Sequence, residues 1–329
     1  MKRIKVIICI IFLVFPLFSQ FNADNNGAYH NFIETEAALQ ELAGRYPDLA
    51  QLASIGRSLE DRELYILKIS DHAQTEEVEP NIYIIGGTHA REWISVEVPL
   101  LFARQLLEGY ATDASIRRLV DGAQIYVMPS LNPDGLEFSI HTYRWWRKNR
   151  RYNGNFSWGV DLNRNWGYQW GYDDQGSSPD PNGEAFRGSG PFSEPETDAL
   201  RLFIQGHLPT GAIFYHNYGQ KILYPWEYTT EPAPDQAEMA KIAVEMSRRM
   251  AAVSGRVYSA GGMEILYPTN GGACDWVYGS FTAPAFTIEL PNATYLQGGF
   301  FTAESEIMST FAENLPALLY FIDYFLSEK

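Results

Sequence analysis

Asn81-Ile82-Tyr83-Ile84-Ile85-Gly86-Gly87-Thr88-His89-Ala90-Arg91-Glu92-Trp93 is the stretch from which the rest of the chain can be read outward. A short apolar run closed by two glycines describes a buried central strand that stops sharply. A histidine and a glutamate three residues apart follow at once. Open α/β sheets gather their chemistry beyond the carboxyl ends of the strands, and His89 and Glu92 fall there. Imidazole nitrogen and carboxylate oxygen are both zinc ligands, at about 2.0–2.2 Å. A catalytic zinc takes three protein ligands and keeps one position open, so this pair needs a third. His216 ends a second strand-like run, Gly211-Ala212-Ile213-Phe214-Tyr215, in the same way and is the candidate. Alone, His89 and Glu92 also fit an ordinary polar loop, so the rest of the chain has to decide.

Over 329 residues, strand-like and helix-like segments alternate to the end, with no linker and no repeat. That pattern favours a single α/β domain. Helices are expected over residues 29–46, 94–110, 116–120, 232–254 and 307–325. One more should run from a Ser193 cap, with Glu196 three residues on, to Gln205. Strands are expected over 52–55, 64–69, 124–128 and 285–290. Residues 129–135 and 266–272 read as turns, and 166–190 as a long loop ordered by its aromatics.

Lys2, Arg3 and Lys5 precede an apolar run from Val6 to Phe18 that is too short to cross a bilayer comfortably. The reading is an export signal over residues 1–19, cleaved near Ser19 or Gln20, which sends the protein to the periplasm or the medium. A retained membrane anchor is the competing reading. The formal charge of −15 loses three positive charges with that leader and becomes −18. Such an acidic chain is not expected to bind nucleic acid or anionic membranes. Cys9 leaves with the signal and Cys274 remains alone, so stability has to come from the core and not from a disulfide. No segment ahead of the first strands is long enough for a folded activation domain.

More landmarks follow. Trp145-Trp146-Arg147-Lys148-Asn149-Arg150-Arg151 is a positive spot in an acidic chain, which by itself could be a solvated loop. Gly159-Val160-Asp161-Leu162-Asn163-Arg164-Asn165-Trp166 sets Asn beside Arg, whose guanidinium can clamp a carboxylate through two parallel hydrogen bonds. Glu289 is a carboxylate inside the apolar strand Ala285 to Leu290. His30, His72, His141 and His207 lack such company and read as surface or local structure.

Taken in order with Pro191-Phe192-Ser193-Glu194-Pro195-Glu196, His216, Tyr267 and Glu289, these landmarks resemble the zinc metallocarboxypeptidases of the carboxypeptidase A/B family, the funnelins. The resemblance spans roughly residues 28 to 326. It implies a mixed, mostly central β-sheet flanked by helices, and a monomeric exopeptidase that removes the C-terminal residue of peptides and proteins. It implies one Zn2+ per chain on His89, Glu92 and His216, with water in the open position and the pKa of that water lowered to about 7. Glu289 would be the general base that takes the water's proton and passes it to the leaving amine. The competing reading of Glu289 is a buried ion pair. Arg147 would stabilise the developing oxyanion. Asn163, Arg164 and Tyr267 would hold the terminal carboxylate, with Arg91 further out and Tyr218 among the substrate-binding residues. Core packing is the competing role for Tyr267. Asp161 would accept a hydrogen bond from His89 and fix its tautomer.

In this family a pocket reads the terminal side chain. Its usual determinant precedes an Asp-Trp pair, here Asp275-Trp276, and is Cys274, which is small and brings no fixed charge. Glu227, after Tyr224-Pro225-Trp226, resembles the acidic residue with which the regulatory branch reads basic side chains. Its competing reading is a solvent-facing loop carboxylate. The balance leans to Lys/Arg or mixed specificity over aromatic or aliphatic. Two alternatives stay open: a peptidoglycan-peptide amidase or carboxypeptidase of the same superfamily, and a non-catalytic binding protein on this scaffold. No nucleophile elbow or acid pair favours a lipid or carbohydrate hydrolase, and no stable membrane span is expected once the signal is removed.

Overall fold

The computed structural model describes residues 26–327, so the expected export signal lies outside the described residues. In chain order the elements are α1 (Phe32–Arg45), β1 (Ala50–Arg57), β2 (Glu63–Ile69), β3 (Asn81–Ile85), α2 (Ile94–Gly109), α3 (Ala114–Val120), β4 (Gln124–Met128), α4 (Pro133–His141), β5 (Tyr152–Gly154) and β6 (Ser157–Trp158). They continue with α5 (Pro195–Gly206), β7 (Gly211–Asn217), β8 (Lys221–Leu223), α6 (Gln236–Ser254), β9 (Ser259–Gly261), α7 (Ala273–Phe281), β10 (Ala285–Leu290) and α8 (Ile307–Ser327). Among the described residues no helix is long and apolar enough to cross a membrane.

One mixed sheet of eight strands, in the order β1-β2-β4-β3-β7-β10-β8-β9, organises the chain. Its middle, β4-β3-β7-β10, is parallel. On one flank β2 pairs antiparallel with β4 and β1 with β2; on the other, β8 pairs antiparallel with β10. β5 and β6 form a separate small hairpin.

Strand side chains alternate between faces, and here each face has its own core. Ile82, Ile84, Ile125, Val127, Ile213, Tyr215, Phe286 and Ile288 pack into the layer that contains Leu42 of α1, Phe102 of α2, Leu119 of α3, Met246 of α6 and Phe321 of α8. Tyr83, Ile85, Tyr126, Met128, Ala212, Phe214 and Ala285 pack on the other side with Leu200 and Ile204 of α5, Trp276 and Val277 of α7, and Trp166. Burial on both faces is why these strands read as continuous apolar runs. The same alternation decides where polar side chains on the strands go. His216 shares a face with Ala212 and Phe214, and Thr287 and Glu289 share it with Ala285. His216 and Glu289 are paired in register.

The turn after β3 has no room for side chains. A Cβ on Gly86 would lie 2.0 Å from the backbone oxygen of Ser95, and Gly87 has φ +61°. The Ser95 hydroxyl accepts from Gly87 N at 3.2 Å and donates to Glu92 O at 2.6 Å. Gly86 N donates to Met128 O at 2.8 Å. The loop carrying His89 and Glu92 is thereby fastened between β4 and the first turn of α2.

Several expected boundaries shift, for local reasons. Residues 129–135 are not turn throughout: Pro133 opens α4, and Asn132 Oδ1 caps it by accepting from Gly135 N at 3.0 Å. α5 starts at Pro195 with Glu194 in the cap position, and Ser193 does not cap it. The Ser193 hydroxyl instead donates to Glu194 Oε1 at 2.8 Å and accepts from Asn165 Nδ2 at 2.9 Å. α6 begins at Gln236, beyond Pro232 and Pro234. α7 follows directly on the turn at 266–272, and β8 and β9 are three residues each, too short to show a period.

Gly86→Ala forces a methyl group against a backbone carbonyl that cannot rotate away. It is expected to cost about 1–3 kcal/mol, visible as a lowered denaturation midpoint at unchanged m-value.

Candidate active site

Three expected ligands meet at the carboxyl edge of β3 and β7. His89 Nδ1 lies 2.9 Å from Glu92 Oε1, His216 Nδ1 lies 3.1 Å from Glu92 Oε2, and the two Nδ1 atoms are 3.0 Å apart. All three side chains are buried. His89 Nε2 faces Asp161 Oδ1 at 3.1 Å, and a carboxylate can only accept there. The proton of neutral His89 therefore sits on Nε2, and its Nδ1 lone pair points at the other two donors. Electron-rich atoms this close in a buried space call for a cation between them. In a tetrahedral zinc site with bonds of 2.0–2.1 Å, neighbouring donor atoms stand about 3.3–3.4 Å apart, so a small outward adjustment would admit the ion. The donor set fits zinc.

Asp161 ties this group to its surroundings and is fully buried. Its Oδ1 accepts from His89 and from Asn163 N at 2.9 Å. Its Oδ2 accepts from Arg147 Nε at 3.0 Å and Nη2 at 2.9 Å, with Arg164 Nη1 at 3.8 Å. Burial pushes the Asp161 carboxyl up, but the Arg147 and Arg164 guanidiniums and His89 outweigh it and hold the group well below the usual carboxylate range. Glu92 is likewise held low against its burial, by His89 and His216. Arg147 Nη1 also comes within 3.9 Å of Glu92 Oε1, so Arg147 stands beside the donor set.

Glu289 comes to the same place from β10. It is 8% exposed and has no salt-bridge partner among the described residues, which sets aside the ion-pair reading. Burial first, and the Glu92 carboxylate second, push its carboxyl up to about 8. A metal cation in the donor set would pull in the other direction.

Asn163 and Arg164 sit on a single helical turn, Leu162–Arg164, just past Asp161. Arg164 Nε donates to Gly176 O at 2.7 Å and Nη1 to Asn163 O at 2.8 Å, which fixes the plane of the guanidinium. Asn163 Oδ1 accepts from Ala273 N at 3.0 Å. Gly271, with φ +68°, lets the backbone pass so close that a Cβ would lie 2.6 Å from Arg164 O. Tyr267 is 47% exposed, with its ring centroid 6.0 Å from the Arg164 guanidinium carbon, so it is not a core residue.

Glu227 is 4% exposed, which removes the solvent-facing reading. Its Oε1 accepts from Thr287 Oγ1 at 2.7 Å, and buried Cys274 lies against it. Arg91 and Tyr218 both pack against Phe300. The Arg91 guanidinium lies 4.1 Å from the Phe300 ring centroid and donates to Trp145 O at 3.1 Å; Tyr218 packs edge-on to Phe300 at 4.8 Å.

Two residues of this region were not singled out from the sequence. Thr287 could have been, because it lies two residues before Glu289 and so shares its face of the strand. Asp275 accepts from the backbone N–H groups of Glu227 and Tyr228, and only its place beside Cys274 pointed to it.

The zinc carboxypeptidase family model matches residues 35–317. The chain belongs to the zinc carboxypeptidase family. Its members are metal-dependent peptide hydrolases that use Zn2+. A zinc carboxypeptidase A 1 of Anopheles gambiae is 35% identical over 297 residues, covering 88% of this chain and 66% of the relative. Carboxypeptidase B of Rattus norvegicus is 33% identical over 316 residues, covering 93% and 74%. The chain thus spans about two thirds of the length of the mosquito relative. In structure it is similar to bovine thrombin-activatable fibrinolysis inhibitor in complex with tick carboxypeptidase inhibitor, with TM-score 0.83, 31% identity, and coverage of 92% of this chain and 98% of the other. Relatives named carboxypeptidase A and carboxypeptidase B are about equally similar, so overall likeness does not decide which terminal residue this zinc carboxypeptidase relative prefers.

Asp161→Asn keeps the size but removes the charge that orients His89 and Arg147. It is expected to weaken zinc binding about 10–100-fold, measured by competition with a metal-indicator dye.

Proposed function

We propose that the chain is a zinc-dependent exopeptidase that hydrolyses the C-terminal peptide bond of peptides and proteins. Residues 28–326 would be its catalytic domain, exported as a monomer behind a cleaved signal at residues 1–19. The observation that carries this reading is the placement of a buried carboxyl without an ion-pair partner, Glu289, beside a three-donor centre that is itself flanked by guanidiniums. Export is supported by the basic residues and apolar run at the start of the sequence.

His89, Glu92 and His216 would hold zinc, which supplies a Lewis acid and brings water toward a pKa of about 7. Glu289 accepts the proton of the attacking water and gives it to the leaving amine; burial raises its proton affinity and the zinc charge opposes that rise. Arg147, fixed by Asp161, donates to the oxygen on which charge develops. Asn163, Arg164 and the exposed Tyr267 receive the free terminal carboxylate. This restricts cleavage to chain ends, since an internal peptide bond has no carboxylate to offer. Arg91 and Tyr218 bind the substrate further out. Glu227, buried beside Cys274 and Thr287, faces the terminal side chain and favours Lys and Arg, or a mixed set.

Blocked dipeptides ending in Phe, Leu, Arg, Lys and Glu, assayed with and without a zinc chelator, test this. Chelator-sensitive release with Arg and Lys leading is expected, and Glu289→Gln should lower kcat by about 10²–10⁴-fold. Glu227→Gln should weaken release of Arg and Lys while sparing Leu. Zinc-loaded protein that releases none of the five sinks the exopeptidase reading, and release of only Phe and Leu sinks the role given to Glu227.

A further inference from the structure

Two buried carboxyls, Glu227 and Asp275, lie side by side without a salt-bridge partner among the described residues. Glu227 is 4% exposed and Asp275 1%. The two are joined through the backbone: Asp275 Oδ1 and Oδ2 each lie 3.0 Å from Glu227 N, and Oδ2 accepts from Tyr228 N at 3.1 Å. Neither carboxyl has a salt-bridge partner among the described residues. The charged and titratable groups facing Glu227 are Cys274 and Asp275 of α7, Arg164 of the turn after Asp161, His216 of β7 and Glu289 of β10. Arg164 is engaged with Gly176 O and Asn163 O, and His216 with Glu92. Two buried carboxylates without a counter-ion are costly, and burial pushes both Glu227 and Asp275 above the usual carboxylate range. Being neighbours, they titrate as a pair.

We propose that the Glu227–Asp275 pair holds one proton when the terminal residue is neutral and releases it when a Lys or Arg side chain enters, so that one pocket serves both residue classes and pH sets the choice between them. This rests on the pocket assignment made under Proposed function. The geometry supports it in two ways. Thr287, which holds the Glu227 carboxyl, lies two residues before Glu289 on the same face of β10, about 6.6 Å along the strand. A long basic side chain can span that distance from the bond being cut. An ammonium or guanidinium there is the counter-ion that the fold omits. A neutral side chain brings no charge, and it meets an acid, a thiol and a hydroxyl, all uncharged.

The test is the ratio of kcat/KM for blocked dipeptides ending in Arg and in Leu, taken from pH 5 to 8.5 on the zinc-loaded, full-length protein. Effects of Glu289 and of the metal are common to both substrates and cancel in the ratio. The Arg:Leu ratio is expected to rise with pH, by at most about tenfold per unit where one proton is released, and then to level off. Glu227→Gln should flatten it at a low value. Thr287→Val removes a hydroxyl that favours the ionised form and should move the midpoint to higher pH. Calorimetric titration with free arginine in two buffers of different ionisation heat should show about one proton released per arginine below the midpoint, and none with leucine. A ratio that stays constant while both residues are cleaved overturns the proposal. Release of neither residue overturns the exopeptidase reading beneath it.

Discussion

The Asp161 carboxylate is the interaction on which the rest of the site depends. It is buried, so it is tolerable only because it is surrounded by donors: His89 Nε2, Asn163 N and the Arg147 guanidinium. Each of these contacts fixes something different. The first decides which nitrogen of His89 points inward. The second begins the turn that presents Asn163 and Arg164. The third aims Arg147 past the donor set. The His89–Glu92–His216 donor set, the Arg147 guanidinium and the Asn163–Arg164 turn are therefore mechanically linked through one buried side chain. Removing any one of these partners would leave a buried charge uncompensated, which is strongly destabilising.

The scaffold brings the parts together through simple rules. Parallel strands end at a common edge, so the loop after β3 and the last residues of β7 and β10 arrive side by side although they are far apart in the chain. Alternation along a strand places His216, Thr287 and Glu289 on one face. The helical layers leave no freedom to slip by one residue, because a slip would exchange Ile288 for Glu289 in an apolar core.

Much of this was legible in the residue order. β3, β4, β7 and β10 read directly, since strands buried on both faces are plain apolar runs, and the expected ligands His89, Glu92 and His216 stood at the ends of β3 and β7. What did not read was set by tertiary contact. α7 opens on a glycine turn with no capping side chain, and β8 and β9 are strands only through their pairing, β8 on β10 and β9 on β8. Ser193 had the residues of a helix cap, but Asn165 and Glu194 claimed its hydroxyl. The burial of Glu227 was invisible for the same reason: a carboxylate after Tyr-Pro-Trp looks like a loop residue until Thr287 and the backbone cradle held by Asp275 are in place.

The spacing of the donor set also bears on how the molecule matures. His89 and His216 are 127 positions apart and meet only across the paired strands β3 and β7. A chain that is still emerging, or being threaded through a membrane unfolded, holds at most His89 and Glu92, a two-ligand fragment with little hold on an ion. The three donors therefore come together only after the central sheet has closed. A molecule whose strands have paired wrongly does not bring His216 to His89 and Glu92, and so lacks the three-donor site altogether.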